Sequence, residues 1–201
     1  MNGIFLDIET TGLDSFKHFP IEIAFKVINL ATGEFKVSYH SIIKQSEKAW
    51  EAMDPSSIEV NGFTWEDVLS GKESPVVGQE IFSLLCSLPI KRGNDVFICQ
   101  NPSFDRGYFN QLIPIQNQEQ MNWPYHWLDL ASMYWALQVA PKLKKGEPLP
   151  ENFSLSKNAI AESYHLPPEG TPHRAMQGVE HLILCYQTVF GIDFTKGMTH
   201  D

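Results

Sequence analysis

The run GIFLDIE at residues 3–9, followed at once by TTGLD, constrains this chain most. A short apolar run that ends in a polar, Gly-containing turn reads as a buried strand. Asp7 and Glu9 lie two apart, and on a strand such residues point to the same face. Two carboxylates held side by side repel unless a cation sits between them, and a hard divalent ion with oxygen ligands meets that need. Taken alone, the pair reads as readily as exposed strand-end charge. Its flanks favour a ligand site, because the mouth of a buried strand is where α/β proteins bind ligands.

The rest of the chain builds a sheet around that strand. Residues 20–44 hold two β-rich runs around NLATGE, a hairpin signal with Gly33 at the bend. The first three strands are therefore expected as antiparallel neighbours. Asp54 and Ser56, then Thr64 with Asp67 three residues on, are helix-cap patterns on either side of a turn at Asn61-Gly62. Helical spacing marks residues 74–88, 103–113, 127–140 (capped near Asp129), 154–166 and 173–190, with Gly178 as a weak point in the last. Residues 95–101, DVFICQN, read as a further buried strand, and 140–152 as a Pro/Lys/Gly connector. The class is α/β with a mixed central sheet flanked by helices.

Length and composition fit one domain over residues 1–201: hydrophobic residues make up 43% and charged residues 19%, ordinary values for a globular chain. The formal charge of −9 argues against a protein that coats DNA, yet leaves room for an enzyme that meets nucleic acid through bound cations. Cys86, Cys99 and Cys185 are scattered in apolar stretches, which reads as free thiols in a reducing compartment. With no signal-peptide pattern and no apolar run long enough to span a membrane, a cytoplasmic location without membrane contact is the expectation.

Two further residues carry chemistry. Asp105, after the strand at 95–101, is either a helix N-terminal acid or part of a site with Asp7 and Glu9. His173, at the end of PPEGTPHR, is a surface-loop histidine unless those acids draw it into their site.

Together these pieces resemble the DEDDh family of 3′→5′ exonucleases, over roughly residues 3–190. LDIETTGL resembles the first motif almost letter for letter. QNPSFDRGYF is similar to the second, with Gln100 where a histidine is usual, and HRAM is similar to the opening of the third. The resemblance implies an RNase H-like fold and two Mg²⁺ or Mn²⁺ ions about 4 Å apart on the scissile phosphate. It implies that Asp7 bridges both ions, Glu9 binds the nucleophile-side ion and Asp105 the other, and His173 is the general base. An imidazole titrates near neutrality, which suits that task. It also places Thr10, Thr11, Gly12 and Leu13 against the terminal nucleotide, Leu13 near the base. Phe104 joins these contacts or serves as packing. The implied partners are single-stranded 3′ ends, with a polymerase or a second copy of the chain as the protein partner.

The third motif departs from the pattern. The family places an aspartate five residues after the histidine, where this chain has Gly178. Successive helical residues rotate by about 100°, so Glu180 points away. Gln177 is neutral, and Arg174, Ala175, His181 and Leu182 offer no carboxylate. The expectation is a metal-dependent 3′→5′ exonuclease, impaired by the missing ligand. The alternative is a lapsed, nucleic-acid-binding module on the same scaffold, and a weaker one is a phosphohydrolase for small esters. Arg106, Lys157 and Arg174 are candidate basic residues on the substrate path, each otherwise a solvated charge.

Overall fold

The computed structural model describes residues 1–194. One mixed sheet contains β1 (Asn2–Thr10), β2 (Pro20–Asn29), β3 (Phe35–Lys44), β4 (Lys72–Glu73), β5 (Val96–Cys99) and β6 (Trp127–Asp129). Its order is β4-β3-β2-β1-β5-β6. β1, β2 and β3 are antiparallel neighbours, as expected, whereas β5 lies parallel to β1, and β6 parallel to β5. The described helices are α1 (Glu47–Glu51), α2 (Pro55–Asn61), α3 (Trp65–Leu69), α4 (Ser74–Cys86), α5 (Pro102–Leu112), α6 (Ile115–Gln120), α7 (Leu130–Lys145), α8 (Lys157–Ser163) and α9 (Ala175–Phe190).

β1 is apolar on both faces because it is covered on both. Ile4, Leu6 and Ile8 join a core with Val77 and Ile81 of α4 and Tyr108 and Phe109 of α5. Phe5 faces the opposite layer, with Ala24, Ile98, and Ala175, Val179 and Leu182 of α9. Alternation then puts Asp7 and Glu9 on the α9 side. Glu22 pairs with Glu9 across the β1–β2 ladder, so a third carboxylate shares that face.

Several local signals act as the sequence predicts. Asp54 caps α2, Gly62 ends it at φ 60°, and Thr64 with Asp67 forms a capping box on α3. Gly33 turns the β2–β3 hairpin at φ 75°. Four short elements, β4, β6, α1 and α6, were not legible. Trp127–Asp129, expected as the start of a helix, instead pairs with Phe97–Cys99. A stretch that short shows no period, and its partner strand decides its state.

The expected connector at 140–152 also begins later, because α7 continues through Pro141 to Lys145. These last turns are largely exposed. Lys142, Lys144 and Lys145 suit the negative end of the helix dipole, and Gly146 closes the helix at φ 69°.

Two carboxylates lock helices to the sheet. Asp129 accepts from the backbone N–H of Ala131, Ser132 and Asn101, joining the start of α7 to the turn before α5. Glu22, 3% exposed, accepts from the Ala175 N–H at 2.7 Å and lies 2.6 Å from His40 Nε2. It thereby fixes where α9 begins. Glu22→Ala should lower stability by about 1.5–3 kcal/mol, the cost of a lost hydrogen bond to a charged group. Glu22→Gln, which keeps an acceptor for Ala175, should cost less than half as much; urea denaturation of the two variants measures both.

Candidate active site

A cavity of about 340 Å³ opens at the C-terminal end of β1. Asp7 and Glu9 line it from β1, Asp105 and Phe104 from the first turn of α5, Gln100 from the end of β5, and Lys157 from the start of α8. Val60, Ser156, Glu169 and His173 complete the wall. The structure thus brings Asp7, Glu9, Asp105 and His173 together from three separate parts of the chain.

Each is held by local structure. β1 sets Asp7 and Glu9 on one face. Asn101, at φ 58°, turns the chain into α5, so that Asp105 is 2% exposed and aimed at the cavity. His173 donates its backbone N–H to Val60 O at 2.9 Å, and its side chain is 32% exposed at the rim. Next to it Arg174 donates to Asn61 O and stacks over Phe63, 3.9 Å from the ring centroid. Arg174 is thus committed to anchoring the His173 segment on α2, and Arg106 is exposed.

The turn after β1 is tightly knit. Thr10 Oγ1 donates to Gly12 O, Thr11 Oγ1 accepts from the Phe19 N–H, and Asn61 Nδ2 donates to Thr10 O. Thr10, Thr11 and Gly12 are buried, and Leu13 projects with 77% of its surface exposed. Phe104 packs its ring against Tyr108 at 5.0 Å and still borders the cavity.

Residues 4–185 match the family model described as exonuclease. The chain belongs to the exonuclease family. Its fold is the RNase H-like one of the DEDD-type 3′→5′ exonucleases. It is similar in fold to a zinc-bound complex of E. coli exonuclease I with single-stranded DNA: TM-score 0.72, 18% identity, 94% of this chain and 40% of that one. A second exonuclease I structure gives a TM-score of 0.74 at 16% identity, over 98% of this chain and 42% of that one. The cell-death related nuclease CRN-4 gives 0.68 at 14% identity, over 94% and 64%. This chain therefore spans less than half the length of the exonuclease I chains it matches. No curated protein sequence matches it.

Against that family background, Gly178 has a clear physical setting. A Cβ at this position would lie 2.6 Å from the Asp7 carboxyl carbon, closer still to one of its oxygens, and 3.0 Å from Glu169 Oε1. The space of the family's fourth acid is therefore already filled by two other carboxylates. Helical geometry excluded a substitute within α9, and Glu180 does point away, 2.7 Å from Lys26 Nζ. The new carboxylate comes instead from Glu169, in the loop before α9. Glu169 is 7% exposed, and its backbone N–H donates to Asn158 Oδ1 at 2.8 Å. Lys157 enters opposite it, 2.8 Å from Glu169 Oε1 and 3.9 Å from Asp7 Oδ1.

The electrostatics reflect crowding by like charges. Burial, then the Asp7, Glu22 and Glu169 carboxylates, push Glu9 from 4.5 up to about 8, against an opposing pull from Lys157. Burial raises Asp7 to about 6, with Lys157 again opposing. Asp105 is raised well above the usual carboxylate range, by burial first and Asp7 second. For Lys157, burial alone would depress the ammonium, yet Asp7 and Glu169 outweigh it and hold it above its ordinary value.

Hard oxygen donors at the mouth of a sheet fit a divalent cation. Gln100 adds to the case: its Nε2 donates to Leu155 O, while its buried Oε1 finds no hydrogen-bond partner among the described residues. Asp7, Glu9 and Asp105 are the residues that would hold such an ion. Even so, no three His, Cys, Asp or Glu side chains among the described residues form a closed ligand set. Donor chemistry suits a divalent ion, while the space of the fourth acid is filled by the Asp7 and Glu169 carboxylates, with Lys157 beside them.

Two outcomes follow for the protein without metal. The folded chain keeps a proton on Glu9 that the unfolded chain releases near pH 4.5, so stability should fall as pH rises from about 4.5 to about 8. In EDTA, Tm should decline across that window. Glu9→Gln should flatten the decline and add about 1–3 kcal/mol at the alkaline end. Restoring the family acid with Gly178→Asp should destabilise the fold by about 1–3 kcal/mol, because the new side chain must displace Asp7 and Glu169. Thermal melts of both variants at several pH values would show it.

Proposed function

We propose that this chain is a metal-dependent exonuclease that removes nucleotides from the 3′ end of single-stranded nucleic acid, with DNA as the substrate class. The observation that carries the reading is the convergence of Asp7, Glu9, Asp105 and His173 on one cavity in a chain of the exonuclease family. Fold relatives support the substrate class: E. coli exonuclease I has been solved with dT13 and dA16 oligonucleotides. A divalent ion such as Mg²⁺ or Mn²⁺, when bound, supplies positive charge to the phosphate oxygens and makes water more acidic.

The protein's own groups do the rest. Asp7, Glu9 and Asp105 would hold that ion as carboxylates. His173, at the rim, takes the proton of the attacking water, and Glu169 Oε2, 4.0 Å from Nδ1, stabilises the resulting imidazolium. Water adds to the terminal phosphorus and the P–O3′ bond breaks. The products are a nucleoside 5′-monophosphate and a strand shortened by one, whose 3′ oxygen takes up a proton. Exposed Leu13 and the cavity-bordering Phe104 offer apolar contacts for the terminal base.

A 5′-labelled single-stranded oligonucleotide tests this. With Mg²⁺ or Mn²⁺ the chain should yield a ladder of products shortened from the 3′ end, faster on DNA than on RNA of the same sequence. Asp7→Asn should abolish the ladder, and His173→Ala should slow it by about 10²–10⁴-fold, the contribution of a positioned general base. A ladder unchanged in Asp7→Asn would overturn the reading. Oligonucleotide binding without any ladder would mark the chain as a binding module instead.

A further inference from the structure

We propose that Lys157 stands in for one of the two divalent ions expected in this family, so that the chain works with a single divalent ion and a built-in ammonium. The inference rests on the metal-dependent reading above and deepens it. Three observations carry it.

The first is the loss of the fourth acid. Position 178 is glycine, and the volume its side chain would need is taken by the Asp7 and Glu169 carboxylates. The second is the position of Lys157 itself. It is the first residue of α8, begun by Ser156 as N-cap, so the helix start aims its side chain into the cavity. Only 10% of that side chain is exposed. Its Nζ lies 2.8 Å from Glu169 Oε1, 3.4 Å from the Gly178 carbonyl oxygen and 3.9 Å from Asp7 Oδ1. An ammonium has three N–H groups, and here it faces three oxygens, one of them on the acid expected to bridge two ions. The third is Glu169. It is buried, anchored through its backbone to Asn158 of α8, and paired with Lys157.

Lysine and Glu169 thus form a pair fixed to the same helix, and the pair fills the place of an acid and its ion. A second divalent cation on this side of Asp7 would have to share that carboxylate with a fixed positive charge. Asp7 Oδ2, which leans toward Gly178, together with Glu9 and Asp105, leaves donors for one ion.

Counting bound Mn²⁺ tests the assignment on the full chain. Titration with Mn²⁺, followed by electron paramagnetic resonance of free and bound ion, should give one Mn²⁺ per chain, with the spectrum of an isolated ion. Lys157→Arg, which keeps the charge, should also bind one. Lys157→Met should bind a second, and its spectrum should show the broadening of a coupled pair. Should Lys157→Met fail to fold, the counts for the unmodified chain and Lys157→Arg still decide. Two ions per chain in the unmodified protein, or a Lys157→Met variant that folds and still binds one, would overturn the inference. The two proposals fail separately: two Mn²⁺ with a 3′ ladder removes the role of Lys157 and keeps the nuclease. One Mn²⁺ without a ladder keeps the lysine and removes the nuclease, and no bound Mn²⁺ removes both.

Discussion

Repulsion among the carboxylates gathered at the mouth of β1 is the constraint on which the rest of the structure depends. The Glu22 and Glu169 carboxylates help raise Asp7 and Glu9, and Asp7 helps raise Asp105. Such a cluster persists in a folded chain only where each member is compensated. Glu22 is satisfied by the start of α9 and by His40, and Glu169 by Lys157. Burial pushes Asp7, Glu9 and Asp105 up from the usual carboxylate range, and these are the acids with an unmet need for a cation. Division of the cluster into satisfied and unsatisfied members separates scaffold from site.

Gly178 and Lys157 belong together in this picture. Removing a carboxylate from α9 leaves room that Asp7 and Glu169 occupy, and Lys157 supplies the charge that makes their approach tolerable. The site is rebuilt around the absence rather than left with a hole. Where the family carries an acid on α9, this chain has a glycine with the Lys157–Glu169 ion pair packed beside it.

Much of the scaffold was legible because its signals are local. The apolar run of β1, the Gly33 turn, the Asp54 cap and the Thr64–Asp67 box each act within a few residues. What failed to show was short or non-local. β6 exists because β5 offers it a partner, and α7 passes Pro141 because its last turns are exposed to water. At the site, Asp7, Glu9, Asp105 and His173 could be named from motifs. Glu169 could not: a search for a substitute ligand along α9 follows helical rotation, and Glu169 precedes the helix in a Pro/Gly loop. Lys157 read as a basic residue on the substrate path or a solvated charge, because its burial is created by elements far from it in sequence. A lysine immediately after a helix-capping serine was the faint signal available.

The sequence by itself determined the family, the antiparallel opening of the sheet and the acids at the mouth of β1, because strand alternation and motif spacing are properties of neighbouring residues. It also revealed that position 178 lacks its acid. Only the tertiary structure decided what fills that position. Which side chains meet across a sheet–helix junction depends on where α8, α9 and the loop between them settle against β1, and that packing brings Glu169 and Lys157 to Asp7 from loop and helix positions that no local pattern links to it.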